Sequence, residues 1–148
     1  MISSFSTTDC KHLLRRNYIG QLAYVYQNKP FSIPITYYFT EDKIICYSGD
    51  GHKISAMRLR KEVSLQVAEI DEINKWKSVI AHGTFRELQG SEAKAYLHEF
   101  SLGVKDVISV KELRDLDYIS QFSARISKDD YPIVFIIEIN EYSGRMRS

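Results

Sequence analysis

The chain has 148 residues, of which 44% are hydrophobic and 26% charged. That is the size and composition of one soluble globular domain, residues 1–148, and it excludes general disorder and collagen-like repeats. Lys and Arg number 20 against 19 Asp and Glu, a net charge of +1, so charge points to no nucleic-acid or membrane partner. No apolar run approaches the roughly 20 residues of a membrane span. Residues 1–9 lack the basic-then-apolar pattern of a secretory leader, so a cytoplasmic protein is expected. Cys10 and Cys46 have no zinc spacing and read as reduced packing thiols. Aromatic residues reach 12%, with 10 Tyr, a residue suited to strands, interfaces and ring-shaped ligands.

Thr8 to Arg16 predicts a first helix, capped by Thr7 or Thr8 and closed at Asn17. The period then changes to two. Leu22, Tyr24 and Tyr26 define one strand, and Asn28-Lys29-Pro30 a turn. Phe31, Ile33, Ile35, Tyr37 and Phe39 define a second strand, and Lys43 to Ser48 a third. Connections this short require antiparallel pairing. His52 to Arg60 reads as a short helix, Val63 to Val67 as a strand, Glu69 to Lys75 as a polar connection, and Trp76 to Leu88 as a long strand. Gly83 inside that strand marks a bulge or bend. Ala93, Tyr96, Leu97 and Phe100 lie on one face of a helix that Gly103 is expected to stop. Ser109 and Glu112 resemble a capping box for another helix reaching Phe122. Ile133 to Ile139 is a strand buried on both faces. The fold class is mainly β (α+β), a six-stranded antiparallel barrel with flanking helices. Closure of such a barrel removes exposed edges.

Catalytic signatures are absent. There is no nucleophile elbow, no Walker loop and no dinucleotide glycine fingerprint. His12, His52, His82 and His98 fall in four different elements, and no metal site is expected from them. Tyr47-Ser48-Gly49-Asp50-Gly51-His52-Lys53 is more informative. A strand ends, glycines turn the chain, and a helix begins beside Ser48, His52 and Lys53. A helix start offers unpaired N–H groups and a positive dipole end, the parts of a phosphate cradle. Arg58, Arg60 and Lys61 add basic character. Taken alone the signal is weak, since a Lys in a first helical turn is usually just solvated. Pro34 within an alternating strand indicates an edge; the reason is either edge protection or backbone left available to a ligand at Ile35-Thr36-Tyr37. Trp76 reads equally as a core residue or a rim aromatic.

These features occur in an order that resembles the pyridoxamine 5′-phosphate oxidase-like superfamily of FMN-binding split barrels. The resemblance is greatest to the branch of nitroimidazole-resistance and related flavin-nucleotide-binding proteins. It is carried by residues 18–23, 30–37, 45–48, 51–53 and 76–83. It implies a split barrel that forms a homodimer, with FMN between subunits. Pro34, Ile35, Thr36 and Tyr37 are then expected along the isoalloxazine, and Tyr47 and Ser48 near the ring and ribityl chain. Gly51, His52 and Lys53 are expected at the phosphate, and Trp76, Ser78 and Val79 near the pyrimidine side. His often stands in that branch where this chain has Tyr47, and Arg where it has His52. Three functions follow: an FMN-dependent oxidoreductase with a small-molecule electron donor and acceptor, a non-enzymatic flavin-binding or storage module, or a dimeric interaction protein that has lost flavin. Ser48, Gly51 and Lys53 standing together argue against the last.

Overall fold

A computed structural model describes residues 1–112 and 133–148. The elements in chain order are β1 (Ile2–Ser4), α1 (Thr7–Arg15), β2 (Ile19–Tyr26), β3 (Lys29–Thr36), β4 (Tyr38–Thr40), β5 (Lys43–Ser48), α2 (His52–Leu59), β6 (Glu62–Glu72), β7 (Lys75–Glu87), α3 (Gly90–Glu112) and β8 (Ile133–Arg147). All strands belong to one antiparallel sheet of order β3-β2-β6-β7-β8-β5-β4, with β1 added beside β8. The described residues thus hold eight strands where the periodicity predicts six. One addition is β1, too short to leave a pattern. The other arises because the expected Phe31–Phe39 strand divides at Tyr37.

The division at Tyr37 shapes the barrel. β3 pairs with β2, whereas β4 pairs with β5 at the other end of the path. The chain crosses between the two at Tyr37, whose N–H donates to Tyr18 O at 2.9 Å and whose hydroxyl donates to Leu14 O at 2.7 Å. No ladder joins β3 to β4 in the described sheet order, so the sheet is not closed. The expected loss of edges does not occur. Pro34 sits on the open edge formed by β3, where its missing donor leaves no gap in a central ladder.

The two-residue connections at Gln27-Asn28 and Glu41-Asp42 have positive φ at both positions, the form whose twist suits a tight hairpin. The first turn therefore precedes Lys29-Pro30, which begin β3 instead of forming the turn. The polar stretch 69–75 is also mostly strand: β6 runs to Glu72 and β7 starts at Lys75. Gly83 fulfils its expectation. The β7–β8 register shifts between His82 and Gly83, and a Cβ on Gly83 would stand 2.4 Å from Glu138 O.

α1 begins one residue earlier than predicted because Ser6, not Thr7 or Thr8, is the cap; its side chain accepts from Asp9 N at 3.1 Å. At the other end Asn17 Nδ2 donates to Leu13 O at 2.8 Å, satisfying an end carbonyl from just beyond the Arg16 cap. α3 does not stop at Gly103. It continues to Glu112, so no new helix starts at Ser109. The glycine is an approach point: a Cβ there would lie 2.3 Å from the Tyr38 ring. The stretch expected to be helical beyond it, 113–122, lies outside the described residues.

Val134, Phe135, Ile136 and Ile137 are all buried, as a strand covered on both faces must be. Phe135 and Ile137 join the main core with Leu22, Leu65, Val79 and Ile44, capped by Leu13 and Leu14 of α1 and by Ile54 and Met57 of α2. Val134 and Ile136 face a second core with Ile45, Phe100, Val104 and Ile108. That second core exists because the apolar stripe of α3 lies on the far side of β5 and β8. Each fully buried side chain of this size contributes roughly 1.5–3 kcal/mol. Cys10 and Cys46 are free and buried; burial pushes both thiols up.

Candidate functional site

The glycine turn at 49–51 links the end of β5 to α2, as the sequence predicts. Gly51 caps α2 with no side-chain hydrogen bond, so the first-turn N–H groups have no cap partner from that residue. Ser48 is buried and its hydroxyl donates to Gly49 O at 2.9 Å, holding the turn against the strand end. Lys53 is half-buried and makes no ion pair among the described residues. Its charge is felt by Cys46, whose thiol is raised by burial and lowered by the nearby Lys53 ammonium. The wider basic neighbourhood is partly neutralised. Arg58 holds Glu87 through two bonds of 2.7 and 3.0 Å and reaches Asp50 at 3.7 Å. Arg60 and Lys61 are exposed.

His52, first residue of α2, reaches back over β2 and β3. Its ring meets Tyr26 at 4.7 Å and Phe31 at 4.9 Å, both edge-on, and Tyr24 at 5.8 Å. Tyr24 in turn stacks on Phe31 at 5.4 Å. The Tyr24 hydroxyl lies 3.0 Å from His52 Nδ1. These three aromatics are part of the site that motif reading missed. The signal was present: strand alternation puts Tyr24 and Tyr26 on one face of β2, and Tyr24 stands opposite Phe31. The docking of α2 that brings His52 to them is a tertiary relation.

Phe31 also ties the helix start to the open edge. Pro34 is three residues further along β3, about 10 Å. Strand alternation puts Ile35 on the face of β3 that carries Phe31 and turns Pro34 and Thr36 to the other. Ile35 is buried in the main core while Pro34 is exposed. Tyr37 belongs to the corner already described, and burial pushes its hydroxyl up. Tyr47 and Ser48 alternate across the strand. Tyr47 turns toward α3, its ring meeting Phe100 at 5.4 Å nearly at right angles.

Trp76, Ser78 and Val79 stand apart from these. The register runs from Pro34 to Gln21, from Gln21 to Gln66, and from Gln66 to Ile80. Gln66 Nε2 donates to Ser78 Oγ at 3.0 Å. Ile80 is thus three strand spacings from the Pro34 edge, about 14 Å along the sheet, with Ser78 two residues away on the same strand. Val79 is buried in the core and Trp76 is half-buried at the strand start. Within one chain the two groups thus stand on separate strands, β3 and β7. Among the described residues no group of His, Cys, Asp and Glu has the geometry to hold a metal ion, and no helix is long and apolar enough to cross a membrane.

An antiparallel sheet that stays open between β3 and β4, with helices packed against it, defines a class, the split barrels. Residues 6–146 match the family model for pyridoxamine 5′-phosphate oxidase, and the chain belongs to that family. An uncharacterised protein of Rhizobium meliloti is 31% identical over 142 residues, covering 95% of this chain and 91% of its own. Among solved structures, a FAD-binding protein of Mesorhizobium loti superimposes with a TM-score of 0.77 at 26% identity, covering 100% of this chain and 99% of the other. A candidate 5-nitroimidazole antibiotic resistance protein of Bacteroides thetaiotaomicron superimposes with a TM-score of 0.72 at 11% identity, covering 99% and 87%; that likeness is one of fold. The family and the flavin-binding relative agree with the resemblance carried by the motifs.

Proposed function

We propose that the chain is a flavin-nucleotide-binding protein that takes FMN, with the phosphate at Gly51, His52 and Lys53. The observation that carries this reading is the donor set at the start of α2. First-turn N–H groups without a side-chain cap, a Lys without a carboxylate partner among the described residues and the His52 imidazole suit a phosphate with nearly two negative charges. The flavin supplies the electron chemistry when bound; the protein supplies position, charge and access. Pro34, Ile35 and Thr36 would border the ring, and a second copy of the chain would bring Trp76, Ser78 and Val79 to it. The three strand spacings between these groups within one chain support a site shared in a homodimer.

The activity that fits is an oxidoreductase of the nitroreductase or flavin-reductase kind, acting in the cytoplasm between a small-molecule donor and acceptor. A storage or carrier module is the alternative. FAD is a second reading of the cofactor, favoured by the relative at 26% identity that binds it. The test is purification of the full chain. A yellow protein whose released flavin runs as FMN supports the reading, FAD supports the second, and a colourless protein that takes up neither overturns both. Bleaching by NADH or NADPH, with return of colour on a nitroaromatic, separates enzyme from module. A stable 17 kDa particle in sedimentation would remove the shared site.

A further inference from the structure

His52 has an unusually complete set of neighbours for an exposed first-turn residue. Tyr24 is only 5% exposed, and burial pushes its hydroxyl up, so the phenol keeps its proton. Among the described residues the only hydrogen-bond partner of that hydroxyl is His52 Nδ1, at 3.0 Å. A phenol donating to Nδ1 makes that nitrogen the acceptor and leaves the proton of the neutral ring on Nε2. Nε2 makes no hydrogen bond among the described residues. The titratable groups against the imidazole are the hydroxyls of Tyr24 and Tyr26 from β2. β3 contributes Phe31, which does not titrate, and α2 itself contributes the adjacent Lys53.

We propose that Tyr24 is a positioning residue for phosphate recognition: by donating to Nδ1 it fixes His52 as an Nε2–H donor, so that the neutral imidazole hydrogen-bonds a phosphate oxygen of the flavin nucleotide. This rests on the flavin-nucleotide reading above and deepens it. The His that stands in place of a permanently charged Arg then contributes without first gaining a proton, and Lys53 carries the charge.

The experiment compares FMN affinity of the wild-type chain and Tyr24→Phe at about pH 8 and about pH 5.5, on either side of ordinary imidazole titration. The ligand phosphate titrates alike for both proteins, so the ratio of affinities at each pH is the readout. The expected result is a loss of about five-fold for Tyr24→Phe at the higher pH, one net hydrogen bond's worth. A ring protonated on both nitrogens presents Nε2–H whatever Tyr24 does, so at the lower pH the ratio should fall below about two-fold. An equal loss at both pH values means a merely structural role and overturns the proposal, as does no loss at either. A second measurement needs no variant. Nitrogen NMR of the His52 ring in the wild-type chain at about pH 8 should show the proton on Nε2; a proton on Nδ1 overturns the proposal even if FMN binds. A wild-type chain that binds no FMN at either pH overturns the flavin-nucleotide reading itself.

Discussion

Arg16 grips Glu69 with two hydrogen bonds, Nε to Oε2 at 2.9 Å and Nη2 to Oε1 at 2.8 Å, joining the end of α1 to β6. Asn17 adds a third at 2.8 Å and is itself held by Lys111 of α3. The Arg16 bonds outweigh partial burial and, with Asn17, hold the carboxyl at about 2. A carboxyl held below its unfolded value stabilises fully above the ordinary range near 4.3 and loses that contribution as pH falls toward 2. Arg16 is 46% exposed, so solvent screens the pair. Glu69→Gln should therefore cost about 1 kcal/mol at neutral pH. In urea unfolding at a series of pH values, the gap should narrow below about pH 4 and close near pH 2. A gap constant from pH 7 to pH 3 would assign the loss to packing and not to charge.

Gly103 and Tyr38 make a second prediction. Alanine in a helix interior is worth up to about 1 kcal/mol over glycine, but here its Cβ would enter the Tyr38 ring. Overpacking of that kind costs about 1–3 kcal/mol, so Gly103→Ala should be destabilising on balance. In a Tyr38→Ala background the same change should become stabilising, and a double-mutant cycle reads the coupling directly. A stabilising Gly103→Ala in the wild-type chain would mean that the ring yields freely.

The same pair explains what sequence reading could and could not reach. Period-two alternation marks Leu22 and Leu65 as strand residues, and Pro34 as lying on an edge, because those assignments depend on local pattern alone. Gly103 was read as a helix stop because glycine serves that role in isolation; only the packed Tyr38 ring reveals the other role. The barrel corner at Tyr37 was invisible for a similar reason. Its alternation continues unbroken, and only the partners Tyr18 and Leu14 show that the chain has changed strands. In the candidate site, the helix start with His52 and Lys53 was legible as a motif. The aromatic clasp on His52 and the neutralisation of Arg58 by Glu87 were not, since both depend on how α2 docks on the sheet.

For Lys53 the expected discriminator is the ligand. Lys53→Ala should weaken FMN by roughly 10- to 100-fold, the worth of a charge-assisted contact of about 1.5–3 kcal/mol. Riboflavin, which lacks the phosphate, should be weakened far less. Titration of both ligands by quenching of flavin fluorescence gives the two ratios. Equal ratios would show that Lys53 does not meet the phosphate.

Tyr47 carries the last prediction, because it stands where the nitroimidazole-resistance branch often has His. The β5 pleat turns it toward α3, and its ring meets Phe100 in the second core. Removing the ring should therefore cost stability: Tyr47→Ala is expected to lose about 2–4 kcal/mol, as a partly buried aromatic does. The hydroxyl should matter less. An ordinary phenol ionises near pH 10 and is a poor proton carrier at neutral pH. Tyr47→Phe should accordingly keep flavin content, and keep acceptor reduction within about two-fold if the protein is an enzyme. Full flavin content with abolished turnover would instead make the hydroxyl a chemical participant. Tyr47→His separates access from chemistry. An increase in nitroaromatic reduction at unchanged flavin content would show that this position selects the acceptor; no change would leave Tyr47 as packing between β5 and α3.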